Sequence, residues 1–181
     1  MHIAACVPNV KALVLGVGNR MRGDDAVGSI IGELLAAGGR IPAIDCSVAP
    51  ENHLSRILEA RPEELILVDA CDFGGRAGEI RRFEEAEFEK IAHGLLLTHT
   101  LPLTLLATLV KKEIDCRIQL IGIQPQGVEF AAEMSAAVRA AIPNVVALVE
   151  KSVGDQTAGK IDKFRRGRNR RSRPVQTRAQ V

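Results

Sequence analysis

The chain has 181 residues, enough for one domain with a sizeable core, and 25% charged against 46% hydrophobic residues excludes a largely disordered protein. The net charge of +2 hides a division: residues 151–181 hold ten Lys and Arg against Asp155 and Asp162, so the rest of the chain is net acidic. Cys6, Cys46, Cys71 and Cys116 show no CxxC spacing, which argues against a disulfide scaffold and for reduced thiols in a cytoplasmic protein.

Residues 1–10 read as a short leader without the cationic start and apolar run of a signal peptide. Lys11–Val17 is a buried first strand. The turn Gly16-Val17-Gly18-Asn19-Arg20-Met21-Arg22-Gly23-Asp24-Asp25 hands over to a helix with Val27, Ile30, Ile31, Leu34 and Leu35 on one face. Asp24 or Asp25 can cap that helix, and Gly38-Gly39 ends it. Ile41–Asp45 is a second strand. Ala49-Pro50-Glu51 opens a helix carrying Leu54, Ile57 and Leu58, and Arg61-Pro62 stops it.

Leu65-Ile66-Leu67-Val68, ending at Asp69, has the continuous apolar character of a strand covered on both faces. Phe73–Gly78 is a turn, Glu79–Phe83 an edge strand, and Glu84–Ala92 an acidic helix. Leu95–Leu97 leads through Thr98-His99-Thr100 to a helix begun near Pro102. This stretch, Gly94–Val110, is too short and polar to span a membrane. Cys116–Ile123 is a last strand, and Ser135 caps a final helix that Pro143 should break or kink.

Alternating strands and helices predict a single three-layer α/β/α domain over residues 11–151. Its sheet is mostly parallel and twisted, with about five strands and helices on both faces. From residue 152 the apolar pattern stops, and residues 152–181 read as a basic, disordered tail. An arginine run could meet nucleic acid through residues 160–178, but it lacks interleaved aromatics, and a solvated extension is the plainer reading.

Ligands in such sheets bind beyond the carboxyl ends of the strands. Asp25 follows the first strand, Asp69 terminates another, and His99 precedes a helix. Two oxygen donors and one imidazole suit a borderline divalent ion with open coordination positions. The plainer readings stand beside this one: Asp25 as a helix cap, Asp69 as a turn residue, His99 as a helix-entry residue. Asp24 reads as a capping or solvent-facing neighbour and Asp72 as a stabiliser of the turn after Cys71. Gly16-Val17-Gly18 also resembles a dinucleotide-binding turn with Asp45 as the ribose acid. Met21 stands at its third glycine position, however, and Asp24 and Asp25 would repel a pyrophosphate. A thiol mechanism using Cys46 or Cys71 with His99 has no nucleophile motif around either cysteine.

Gly16-Val17-Gly18-Asn19, Gly23-Asp24-Asp25, Leu67-Val68-Asp69-Ala70, Thr98-His99 and Gly122-Ile123-Gln124-Pro125 occur in this order between Leu13 and Val149. Together with Ala49-Pro50-Glu51-Asn52 and Leu101-Pro102-Leu103, they resemble the NiFe-hydrogenase maturation endopeptidases, most closely the hydrogenase 3 branch. The resemblance implies a cytoplasmic, monomeric peptidase that removes a C-terminal peptide from the hydrogenase large-subunit precursor after nickel insertion. It maps the nickel-engaging residues onto Asp25, Asp69 and His99, with nickel carried by the precursor rather than permanently bound. Asp45 and the 47–52 loop would line the substrate groove. A non-catalytic nickel-sensing or metal-binding module of the same fold is the alternative, and a nucleotide-binding α/β protein a more distant one.

Overall fold

The computed structural model describes residues 10–84, 87, 96–97 and 100–168. Strands β1 (Ala12–Val17), β2 (Ala43–Ser47), β3 (Glu64–Asp72), β4 (Ile80–Glu84), β5 (Leu96–Leu97) and β6 (Arg117–Ile123) alternate with helices α1 (Val27–Gly38), α2 (Leu54–Ala60), α3 (Thr100–Glu113) and α4 (Ala136–Arg168). The sheet runs β2-β1-β3-β6-β4. All pairings along it are parallel except β4 with β6, so the expected edge strand is the antiparallel one.

Side-chain alternation along β1 and β3 builds two cores. Leu13, Leu15, Leu65 and Leu67 pack with Ile57 of α2 and Leu103, Leu106 and Val110 of α3. Ala12, Val14, Ile66 and Val68 pack with Val27 and Ile31 of α1 and Val138, Val145 and Val149 of α4. The result is the three-layer α/β/α arrangement, with β1 and β3 buried on both faces as their unbroken apolar runs require.

The glycines of the first motif serve close packing. A Cβ on Gly16 would collide with the Gly28 carbonyl oxygen and Gly32 Cα, and one on Gly28 with the carbonyl oxygens of Val17 and Val68. Alpha1 therefore lies directly on the ends of β1 and β3.

Three details differ from the sequence reading. Beta3 continues past Asp69 to Asp72, because its last residues pair antiparallel with β5 (Cys71 with Leu97, Asp72 with Leu96), a long-range contact that run length cannot reveal. Ser135 does cap α4, accepting from the Val138 N–H at 3.3 Å, but Pro143 does not end the helix. Pro143 and Arg139 are both exposed, so the carbonyl that loses its donor faces water. Alpha4 also runs to Arg168, into the segment composition assigns to a disordered tail; Lys, Arg, Gln and Ala there are good helix formers. Among the described residues, no helix is long and apolar enough to cross a membrane.

Candidate active site

From β1 the chain goes to β2 on one side and then to β3 on the other, so the strand order reverses between β1 and β3. The crevice beyond the carboxyl ends of these two strands is where such a sheet binds ligands. Asp25 sits in a 3-10 turn, Gly23–Ala26, that follows β1, and Asp69 lies on β3 one residue beyond Val68, the register partner of Gly16. The topology thus brings both aspartates to the switch point, and both are buried (2% and 0% exposed). Asp69 has the parity of Leu65 and Leu67, which puts it on the face covered by α2 and α3. His99 lies outside the described residues, between Leu97 of β5 and Thr100 at the start of α3.

The carboxylates differ in how they are held. Asp25 Oδ2 accepts one N–H, from Asn19 at 3.3 Å, while its Oδ1 is buried with no hydrogen bond among the described residues. Asp69 Oδ1 accepts from the Ala70 N–H at 2.8 Å. Asp24 is neither a cap nor solvent-facing, as its sequence neighbourhood suggests. It is 1% exposed and accepts the N–H groups of Gln126 (2.7 Å), Gly127 (3.3 Å) and Ser135 (2.6 Å), tying the first turn to the loop after β6 and the start of α4. Its three donors come from more than 100 residues away, a distance no local pattern reports. Neither aspartate makes a side-chain cap on α1.

Asp45 is also saturated. It accepts from Ser29 Oγ at 2.8 Å, Arg20 Nη2 at 3.0 Å and the Ser47 N–H at 2.9 Å. Hydrogen bonding to Glu33 at 2.6 Å, with the Asp45 charge beside it, raises the Arg20 pKa. Asp72 stabilises its turn through the Gly74 N–H at 3.1 Å. A hydrogen bond from Gln124 Nε2, followed by that N–H, holds its carboxyl below the usual range.

Glu51 lies in the 47–52 loop expected to line the substrate groove, where its position after Pro50 marks it as an acid at a helix start. Its Oε2 is nevertheless buried without a hydrogen bond among the described residues, on the 3-10 turn Pro50–His53. Buried carboxylate oxygens left unpaired cost free energy and mark places where a ligand, ion or water completes the site. The thiols do not fit catalysis: desolvation, reinforced by nearby carboxylates, pushes Cys46 and Cys71 up to about 12, so neither is a thiolate at neutral pH. The dinucleotide alternative meets two buried carboxylates in the turn leading into α1, where a phosphate would have to bind.

Residues 33–152 match the family described as hydrogenase maturation protease. This span includes Asp69 and His99 but begins after Asp25. The chain is 36% identical over 140 residues to the hydrogenase 3 maturation protease of Escherichia coli K12, covering 76% of this chain and 88% of that protein. A crystal structure of a hydrogenase 3 maturation protease superposes with a TM-score of 0.66 at 35% identity, over 76% of this chain and 88% of that one. A NiFe-hydrogenase maturation protease from Thermococcus kodakarensis superposes at 0.67 with 27% identity, over 80% and 93%.

Proposed function

The chain belongs to the hydrogenase maturation protease family, and from that premise we propose that it is the endopeptidase that removes the C-terminal peptide of a NiFe-hydrogenase large-subunit precursor once nickel is in place. The observation that carries the reading is the buried Asp25 carboxylate at the β1/β3 switch point, whose Oδ1 has no hydrogen bond among the described residues. A cation arriving with the substrate would supply the missing partner.

Asp25 and Asp69 offer hard oxygen donors and His99 an imidazole, a set that suits nickel while leaving positions for the ligands the precursor already provides. Nickel is then part of the substrate, and engaging it fixes the precursor's C-terminal segment over the crevice. Holding the scissile bond in one place supplies proximity and orientation, and a carboxylate or the polarising metal activates the attacking water. Cleavage that requires nickel makes the enzyme a checkpoint on metal insertion, working as a cytoplasmic monomer.

The test is gel-resolved processing of nickel-loaded and nickel-free precursor by the purified protein. Only the loaded form should be cut. Asp25→Asn, Asp69→Asn and His99→Ala should each lower the rate by about a hundredfold or more, the scale of losing a charge-stabilising group from an active site. Equal cutting of both precursors, or full activity in these variants, would refute the proposal.

A further inference from the structure

Two exposed apolar side chains sit on the loops that frame the crevice. Met21 (60% exposed) lies four residues before Asp25, and Phe130 (67% exposed) lies in the segment between β6 and α4. The two loops are one fastened unit. The Ala131 N–H donates to the Met21 carbonyl at 2.7 Å, Arg22 Nε to the Val128 carbonyl at 3.1 Å, and the Gly23 N–H to the Ala132 carbonyl at 3.2 Å. The Asp24 N–H donates to the Gly127 carbonyl at 3.1 Å, and the buried Asp24 carboxylate accepts three amides from the opposite loop. The residues that present Met21 and Phe130 are therefore rigidly continuous with the turn that carries Asp25.

Backbone strain points to the same segment. Ala131, next to Phe130, has φ of 60°, a left-handed conformation that a residue with a Cβ adopts reluctantly. It is kept while its neighbour turns a phenyl ring to water, an arrangement that folding alone does not favour. Next to Phe130 and three residues beyond it in the chain, Glu129 and Glu133 are exposed and polar. An aromatic anchor inside a polar rim is the make-up of a protein-binding surface.

We propose that Met21 and Phe130 are the apolar docking surface on which the large-subunit precursor seats beside the active site, before and independently of nickel recognition. This rests on the processing function proposed above. Coordination of one ion provides little contact area, so selecting one protein substrate needs a second surface. The fastened loop pair offers one continuous with the Asp25 turn. The occupant has a stated chemistry: an apolar patch or segment of the precursor, able to bury a phenyl ring and a thioether.

The experiment measures binding of nickel-free hydrogenase 3 type precursor to the full chain by titration, together with kcat and KM on the nickel-loaded form. Phe130→Ala should weaken binding and raise KM about tenfold or more, as removal of an aromatic anchor does. Met21→Ala should weaken both by a few-fold, and Phe130→Leu should recover most of the loss. Because both side chains are exposed, kcat and the thermal unfolding midpoint should stay near the parent values. Unchanged affinity in Phe130→Ala, or no binding of nickel-free precursor by the parent protein, overturns the docking surface even when cleavage is normal. Loss of binding in the variants with no cleavage by the parent would sustain the surface and remove the peptidase reading instead.

Discussion

The two ends of the sheet treat buried carboxylates in opposite ways. At the amino end, Glu64 on β3 is 2% exposed and meets Arg117 Nη2 of β6 at 2.6 Å, at the edge of a mixed-charge groove of about 460 Å³. At the carboxyl end, Asp25 is as deeply buried, yet it accepts a single long N–H and no cation reaches it among the described residues. Its neighbour Asp24 is saturated by three amides. A carboxylate that holds structure together is given its partners by the fold. One that is buried without them marks a place where a ligand, ion or water can complete the site.

That contrast is tested most severely by the adjacent pair. Asp24→Ala leaves three backbone N–H groups without an acceptor and unfastens the two loops, so it should destabilise by about 3 kcal/mol, at roughly 1 kcal/mol or more per unsatisfied donor. Asp25→Asn removes a buried charge that has little to lose, and its stability should stay within about 1 kcal/mol of the parent or rise. Urea midpoints at constant m-value give both quantities. A loss in Asp25→Asn as large as that in Asp24→Ala would make Asp25 a structural residue and collapse the comparison.

The amino end should behave in the opposite sense. Arg117→Ala removes the cation beside Glu64 and should cost about 2 kcal/mol, less than a fully buried pair because the Arg117 side chain is 55% exposed. Processing by this variant, measured well below its melting temperature, should keep the parent rate, since Arg117 stands at the far end of the parallel strands from Asp25. A selective loss of processing with intact stability would mean that the groove at this end, not the crevice, handles substrate.

The separation of the two ends was partly readable from residue order. The unbroken apolar runs of β1 and β3 announce strands covered on both faces, and the rule that ligands bind at strand carboxyl ends leads directly to Asp25 and Asp69. What stayed hidden depends on contacts between distant segments. Asp24 looks like a helix cap until Gln126 and Ser135 fold back onto it, and Asp69 looks terminal until β5 extends β3. Glu51 gives no local sign that its Oε2 has no hydrogen bond among the described residues, because hydrogen-bond satisfaction is a property of the packed chain. Proximity of the Met21 and Phe130 loops is equally invisible in sequence, since it is made by hydrogen bonds between segments more than a hundred residues apart.

The smallest expected effect compares thiols at the two ends. Cys71, on β3 near Asp69 and Asp72, is raised to about 12 by desolvation and then by those carboxylates. Cys116, just before β6 at the amino end, is raised to about 11 by desolvation, with Lys111 opposing. Both pKa values lie above the 9.0 of an unperturbed thiol, so the folded state holds the proton longer. The associated stability is complete below pH 9 and is lost as pH rises through the folded value, by at most about 1.4 kcal/mol per pH unit for each thiol. The chain has no tyrosine to titrate in the same range. Between pH 8 and pH 10 the parent should lose more stability than either Cys71→Ala or Cys116→Ala, read from urea midpoints at the two pH values. Above pH 11 the loss should persist for Cys71 and level off for Cys116, because Asp69 and Asp72 come next after burial at Cys71, whereas at Cys116 Lys111 and the Leu65 backbone hydrogen bond, both lowering, come ahead of the raising charges of Glu64 and Asp115. Equal curves for both variants up to pH 12 would show that burial alone sets these values and that the electrostatic difference between the ends does not extend to Cys71.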